Sequence, residues 1–448
     1  MCERGCILIR SVYEVLDKVS LSRFHYSVLV VCSLVYGLTG MDVMLIAALV
    51  GPIAREWRLD VITVGNLMSI GYLGMFIGAL VFGRLADVIG RKAVLVIVLF
   101  LESVFTAACG LSQDVYTLAV LRFIAGVGLG GALPQPGVYV SEYIPVKYRG
   151  LFLGLVEASW VYGALLSLLI PYFVLPSYGW RVAFFTAITP IILVPLVAFT
   201  LPESIRYLLK RGDIDKVKSI IVKSKVASKV EEIDFRKDLL SKVKKYTVKD
   251  LFSTTYFSRT VLLFILWGAL VYTYHGIFLW LPTIYATRFN LKDVTSIWWT
   301  IIVTLFQIPG YYSASYLLDK IGRKKVLTIY LVGAGLGSML LSLKTDLTWI
   351  FTFSSAISFF NLGAWAGLYA YTPELYPTEI RGTGSGAAAS FGRAMGILAP
   401  SITGYLFATS GLIGPFTVFS LIHIFAGLSA LFFGIETMGK TLEEVSEV

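Results

Sequence analysis

The chain has 448 residues, of which 57% are hydrophobic and only 15% charged, with a mean hydropathy of +0.78. Soluble domains carry roughly 25% charged residues, so this composition excludes an ordinary water-soluble fold and makes the lipid bilayer the expected solvent. The net charge of +10 does not imply nucleic acid, because the basic residues sit in short stretches between apolar runs, as in the loops of membrane proteins.

The first 25 residues carry charges throughout and have no apolar core, so no cleavable signal peptide is expected. A helix needs roughly 20 apolar residues to cross the ~30 Å hydrocarbon layer. Such runs are predicted at 27–51, 62–82, 93–111, 115–139, 151–175 and 180–201. After a polar stretch, six more follow at 260–282, 296–316, 325–343, 348–372, 384–406 and 412–435. They are too long and too uniformly apolar for the alternating strands of a closed β-barrel, the other structure able to span a bilayer. The predicted fold class is all-α, with twelve transmembrane helices. Residues 1–202 form an N-terminal six-helix bundle, 203–259 a linker with short amphipathic helices, and 260–448 a C-terminal bundle with its tail.

Lysine and arginine orient the spans. With both termini inside, the outer loops hold only Arg55, Arg58, Arg181, Arg288, Lys292 and Lys344, while Arg122 and Arg393 lie within spans. The remaining basic residues fall on the inner side, so both termini are expected in the cytoplasm of a plasma-membrane protein. Cys2, Cys6, Cys32 and Cys109 form no Cys-x-x-Cys pair, and two of them fall in apolar runs, so neither disulfides nor a metal site are expected. There is no Walker lysine motif and no Ser-His-Asp pattern. No enzyme and no cofactor are expected.

The two halves echo each other. Gly83-Arg-Leu-Ala-Asp87-Val-Ile-Gly90-Arg91-Lys92 recurs as Ser315-Tyr-Leu-Leu-Asp319-Lys-Ile-Gly322-Arg323-Lys324, an offset of 232 residues between Asp87 and Asp319. Ser141-Glu142-Tyr-Ile-Pro145-Val-Lys-Tyr-Arg149-Gly150 recurs as Pro373-Glu374-Leu-Tyr-Pro377-Thr-Glu-Ile-Arg381-Gly382 at the same offset. Two matches at one spacing identify a duplicated six-span unit.

Parallel six-span repeats are the architecture of major facilitator transporters. The Gly-x-x-x-Asp-x-x-Gly-Arg-Lys loop resembles that superfamily's signature. Pro202-Glu203-Ser204-x-Arg206-Tyr207-Leu208, Arg122-x-x-x-Gly126-x-Gly128-x-Gly130-Gly131 and the tail Glu436-Thr-Met-Gly439-Lys-Thr441-Leu442-Glu443-Glu444 look like its sugar-porter branch and relatives. By that resemblance, Asp87/Arg91, Asp319/Arg323, Glu142/Arg149, Glu374/Arg381 and Glu203 latch the two halves together in the outward-open state and part when the inner gate opens. The plainer reading is a set of solvated loop charges, each pair worth ~0–1 kcal/mol.

Asp42, Glu102, Arg122, Glu157 and Arg393 are charges inside apolar spans, where each costs roughly 2.5–3.5 kcal/mol unless it has a partner or a wet cavity. At ~1.5 Å per residue, Asp42 and Arg122 come to similar depths and can meet. Proton-coupled sugar porters pair a Gly-x-Asp of span 1 with the arginine of span 4. Gly40-Met41-Asp42 and Arg122 match those positions, which makes Asp42 the proton carrier and Arg122 the group that sets its affinity; the alternative is a static buried ion pair. Glu157 in span 5 and Arg393 in span 11 are substrate-binding candidates, as are His275, Trp365 and Tyr369; Tyr272, Tyr274 and Trp280 could line the same cavity. For each of these, packing within the bundle is the competing reading. Glu102 is expected to be structural, because span 3 is less central in this architecture.

Gly126-x-Gly128-x-x-Gly131 satisfies the dinucleotide-binding pattern, but it lies inside an apolar helix and lacks the strand that motif requires. Close helix packing is the physical reading, with Pro134 and Pro136 loosening the same span. Sugar porters present glutamines in spans 5 and 7; here those stretches read Leu155-Val-Glu157-Ala-Ser159-Trp160 and Val271-Tyr-Thr-Tyr-His275-Gly276. Related phosphate symporters place an acid where this chain has Ala132. The reading is therefore a proton-coupled transporter of a small organic solute, an organic acid before a sugar, acting as a monomer. A non-transporting sensor or scaffold is the alternative of another class.

Overall fold

In hydrocarbon every backbone amide has to find its hydrogen bond within its own segment, so the long apolar runs become helices. The computed structural model describes Val12, Leu16 and residues 19–223, 247–343, 346–377 and 380–439; Cys2, Cys6 and the end of the tail motif lie outside these. The N-terminal half contains α1 (Arg23–Trp57), α2 (Val61–Ile89), α3 (Arg91–Ala108), α4 (Val115–Ala132), α5 (Pro134–Tyr143), α6 (Val146–Phe185) and α7 (Leu193–Thr200). The short helices α8 (Ile205–Lys210) and α9 (Ile214–Lys223) follow. The C-terminal half contains α10 (Phe257–Phe278), α11 (Leu281–Arg288), α12 (Asp293–Leu305), α13 (Gln307–Ile321), α14 (Arg323–Leu343), α15 (Leu347–Glu374), α16 (Arg381–Ser410) and α17 (Ile413–Phe433).

Among the described residues, ten helical stretches are long and apolar enough to cross a membrane. One of them, Val146–Thr200, is 55 residues long and is broken at Gly179, whose φ of 75° is non-helical, so it crosses twice. The thirty-residue α16 adds another crossing, giving the twelve expected from the hydropathy of the sequence. Several crossings are less regular than expected. The fourth loses a backbone hydrogen bond at Pro134, which has no amide, and continues as α5 with Leu133 still at helical angles. The same loss at Pro282 separates α10 from α11, and at Pro309 α12 from α13, again with helical angles at the linking residues. The sixth passes through a 3₁₀ stretch, Thr186–Ile192, that contains Pro190.

The glycines of α4 are a packing device. A Cβ on Gly126 would overlap the Gly71 carbonyl, one on Gly130 the Met75 carbonyl, and one on Gly74 of the facing helix the Phe123 carbonyl. Only hydrogen lets α2 and α4 approach this closely, so the dinucleotide pattern here is a helix–helix seam. Gly90 and Gly322 play matching roles one repeat apart. Each has a positive φ, 101° and 96°, and each faces a carboxylate, Glu203 or Glu436, where a Cβ would stand.

The two bundles meet where α1 ends and α12 begins. There Arg55 at the end of α1 pairs with Asp293 at the start of α12. The Ser401 hydroxyl on α16 donates 2.8 Å hydrogen bonds to Asn66 Oδ1 and Ser69 Oγ on α2. A Cβ on Gly65 would meet the Pro400 carbonyl, so α2 and α16 touch backbone to backbone.

Candidate transport site

A cavity of about 250 Å³ lies between the bundles. Its walls are mostly rings: Tyr36, Tyr72 and Trp160 from the N-terminal half, and Trp267, Tyr274, His275, Tyr311, Trp365 and Tyr369 from the C-terminal half. Glu157 and Arg393 are the charged groups among its described lining residues. The rings are held by hydrogen bonds that cross or brace the bundles. Trp160 Nε1 donates to the Tyr274 hydroxyl at 2.8 Å, and the Tyr36 and Tyr369 hydroxyls are 3.1 Å apart. The Tyr311 hydroxyl donates to the Gly154 carbonyl at 2.9 Å, and Trp267 Nε1 donates to Thr372 Oγ1 at 3.0 Å. Fixed this way, the indoles and phenols present flat apolar faces with few free polar atoms.

His275 sits at one end of this wall. Its Nδ1 lies 2.8 Å from the Val271 carbonyl, which requires a proton on Nδ1 and leaves Nε2 as an acceptor. The imidazole packs edge-on to Tyr72, with centroids 4.7 Å apart. Glu157 lies beside the Tyr36 and Tyr369 hydroxyls and within electrostatic reach of Arg393, and its Oε2 is buried without a hydrogen-bond partner. These groups come from α1, α6, α15 and α16, so the cluster bridges both halves.

A second polar cluster lies inside the N-terminal bundle and does not line the cavity. Asp42 is 0% exposed and Arg122 2%. They meet, though not as a carboxylate–guanidinium pair: Arg122 Nη1 donates to the Asp42 backbone carbonyl at 3.4 Å. Both Asp42 carboxylate oxygens, Arg122 Nε and the Thr106 hydroxyl are buried without partners. Glu102 belongs to the same neighbourhood. It is 0% exposed, accepts a 2.9 Å hydrogen bond from Thr39 Oγ1 and acts electrostatically on Asp42. Glu102, expected from sequence to be structural, stands here as the second carboxylate of this cluster.

The charged loop residues pair within each bundle. Arg91 Nη1 is 3.2 Å from Glu142, and Arg323 Nε is 3.1 Å from Glu374, with Asp319 also at 3.1 Å from Arg323. Glu203 accepts hydrogen bonds from the amides of Arg91 and Lys92 at the start of α3, at 2.8 and 3.2 Å. Glu436 does the same for Arg323 at the start of α14, at 2.9 Å. Both carboxylates thus satisfy orphan amides at a helix N-terminus, where the dipole favours an anion. Arg149 Nε and Arg381 Nε each donate to a carbonyl five residues back, Ile144 and Tyr376. Asp87 is exposed and has no ion-pair partner among the described residues.

The model of the family described as "Sugar (and other) transporter" matches residues 28–448. The chain belongs to this family of major facilitator transporters. It is 36% identical over 433 residues to the niacin transporter NiaP of Acinetobacter baylyi, covering 96% of this chain and 98% of that one. It is 35% identical over 405 residues to a putative niacin/nicotinamide transporter NiaP of Bacillus subtilis, covering 90% and 94%. Its fold resembles the inward-open xylose transporter XylE of E. coli, with a TM-score of 0.75 at 21% identity over 94% of this chain and 99% of that one. The protein is therefore a secondary transporter of a small organic solute and not an enzyme.

The substrate-site candidates singled out from sequence divide into those that line the cavity and those that do not. Glu157, His275, Arg393, Trp365, Tyr369 and Tyr274 line the cavity. Tyr272 and Trp280 do not: Tyr272 packs on Phe419, and Trp280 donates to the Pro400 carbonyl at 3.1 Å in the seam with α2. Tyr36, Tyr72, Trp160, Trp267 and Tyr311 were missed. Trp160 had a signal, since it is three residues after Glu157 and so shares its helix face. Tyr36, Tyr72, Trp267 and Tyr311 are unremarkable aromatics in apolar runs, and nothing in their spacing marks them.

Proposed function

We propose that the protein carries a small aromatic acid, with niacin as the leading candidate, together with a proton. The cavity is the observation that carries this reading. It is small beside the ~300–1,000 Å³ of drug-sized sites, it is walled by rings, and it holds one guanidinium suited to a carboxylate. Its described lining has no asparagine or glutamine, whereas a sugar needs such side chains to replace the water on its hydroxyls. The names of the niacin-transporting relatives agree in kind with a ring that bears a carboxylate.

We assign proton coupling to Asp42 and Arg122. A buried carboxylate with no partner, beside a guanidinium and a second carboxylate, has an affinity for protons that depends on how the bundle is packed. Transport then proceeds as residues 1–202 rock against 260–448 about the 203–259 linker, in a plasma membrane with both termini cytoplasmic and the protein monomeric. The loop charges serve this cycle as latches, opening and closing with the inner gate.

The test is uptake by purified protein in proteoliposomes. Labelled nicotinate is expected to accumulate under an inward proton gradient. Excess benzoate and nicotinamide should compete with it, and xylose should not. The Asp42→Asn variant should concentrate nicotinate to a lower ratio than the wild type under the same gradient. Competition by xylose alone would overturn the substrate, and unchanged gradient-driven accumulation by Asp42→Asn would overturn the proton site.

A further inference from the structure

The Glu157 cluster has a property that simple substrate binding does not explain. A transporter for an anion offers its cavity a cation, Arg393, and the Tyr36 and Tyr369 hydroxyls as donors. The protein already places a carboxyl group of its own among these same groups. Glu157 stands beside both hydroxyls and within electrostatic reach of Arg393, with Oε2 buried and unpartnered. A carboxylate substrate in this cavity would meet a carboxylate of the protein competing for the same donors. Two carboxylates sharing one site cannot both stay ionised without a large penalty.

We propose that Glu157 is a tethered competitor for the substrate's binding groups, so that each substrate anion that binds brings one proton onto Glu157. This rests on the aromatic-acid reading above and assigns a second proton step, tied to binding, in addition to the one at Asp42. With the cavity empty, ionised Glu157 is matched to Arg393 and the hydroxyls. When the anion takes Arg393, a proton from solvent moves to Glu157 Oε2, which becomes a neutral donor able to hydrogen bond to the incoming carboxylate. When the substrate leaves, Glu157 loses that proton to the same side and regains its partners. Site charge is unchanged across the exchange, since one anion and one proton enter together.

The groups facing Glu157 are few. Tyr36 approaches from α1, Tyr311 from α13, Tyr369 from α15 and Arg393 from α16. His275 and Tyr274 of α10 line the same cavity, and the Trp160–Tyr274 hydrogen bond ties α10 back to the helix that carries Glu157. Asp42 and Glu102 do not line it, so neither can compete directly for a ligand bound there.

The experiment is isothermal titration calorimetry of the purified full-length protein with nicotinate and, separately, with nicotinamide, its neutral isostere. Each titration is run at about pH 6 and about pH 8, in buffers of different ionisation enthalpy so that protons taken up are counted. For the wild type, close to one proton per nicotinate is expected, with affinity falling by up to about tenfold per pH unit and nicotinamide affinity flat. Glu157→Gln should bind nicotinate with no net proton uptake and no pH slope, and more tightly than the wild type at the higher pH. Glu157→Ala is carried alongside, and each variant is checked for a single symmetric elution peak. The proposal is overturned if either folded variant keeps the wild-type slope, or if the wild type shows no slope. It is equally overturned if nicotinamide shows the same proton uptake as nicotinate. A wild type that binds neither ligand overturns the aromatic-acid reading itself, a result distinct from any of these.

Discussion

The seal between the bundles rests in part on one exposed ion pair, and its strength sets how often the protein turns to face the other way. Arg55 and Asp293 join the end of α1 to the start of α12, with their side chains 59% and 22% exposed. A pair this wet is worth about 0.2–1 kcal/mol, much less than its geometry alone would suggest. The Asp293→Asn variant therefore raises the population open at that face by roughly 1.4- to 5-fold, since ~1.4 kcal/mol is a factor of ten. It does not open the seal fully, because the Ser401 hydrogen bonds to Asn66 and Ser69 remain. Thr300, on α12 and 2% exposed, lines a small chamber beside Tyr274 and reports on that opening. A Thr300→Cys reporter, in a background with the native cysteines replaced, is expected to react with a thiol reagent 1.4- to 5-fold faster when Asp293 is neutralised, by the same conversion. The reversed pair, Arg55→Asp with Asp293→Arg, should return to the slow rate, and salt should shrink the difference. Unchanged labelling at low salt, or a reversed pair that reacts as fast as the single variant, would refute the reasoning.

Three further outcomes follow from the fold. Gly130→Leu forces a side chain into the Met75 backbone, and overpacking of about 1–3 kcal/mol should appear as a lower thermal midpoint in detergent and weak expression. Trp280→Phe removes the donor to the Pro400 carbonyl, so it should lower stability by about 1 kcal/mol while leaving nicotinate affinity unchanged in a binding assay. Asp114 caps α4, and its bonds to the Thr117 and Tyr116 amides hold its carboxyl below the ordinary carboxylate range. Its stabilisation is therefore complete above the unfolded-state value and is lost as pH falls through the lower folded value. The difference in thermal midpoint between wild type and Asp114→Ala should be constant near neutrality and close only in acid; a gap that widens on acidification would contradict the cap.

The helices were legible because hydropathy is a direct statement about solvent, and twelve runs of the right length leave little freedom. Their breaks were legible only where proline announced them. Pro134 marks the interruption of the fourth crossing, and Pro282 and Pro309, each four residues after the last residue of α10 or α12, mark those of the seventh and eighth in the same way. Charges inside spans were equally readable, because each is expensive enough to demand a reason. Glu157 and Arg393 were found that way, and so was the meeting of Asp42 with Arg122, although the contact goes through a backbone carbonyl. Glu102 is read as structural from the position of its helix; α3 is peripheral, and what helix position alone does not give is that the face carrying Glu102 points inward to Thr39 and Asp42. Aromatic lining residues were the least legible, because a ring in an apolar helix faces lipid, core or cavity with no change in its neighbours.

The duplication explains both why the scaffold was easy to read and where the cavity comes from. Scaffold devices recur in both halves: Gly90 with Glu203 and Gly322 with Glu436 close the same turn, and Arg91–Glu142 and Arg323–Glu374 brace the same loop. Positions around the cavity do not recur. Counting 232 residues on from Glu157 gives Ala389, and counting back from Tyr369 and Trp365 gives Gly137 and Leu133; all six line the cavity. A strictly symmetric pair of bundles would put either two bulky polar residues or two small ones at each of these places. The first choice fills the space, and the second leaves it without chemistry. Placing a large functional side chain opposite a smaller one solves both problems, since the smaller residue leaves room for the ligand that the larger one grips. On this argument Ala389 and Gly137 are as necessary to the site as Glu157 and Tyr369. Enlarging Ala389 to leucine should abolish binding by filling the cavity, while the stability of a bundle that gains apolar surface is retained. Undiminished ligand binding by that variant in the calorimetric assay would show that the space lies elsewhere.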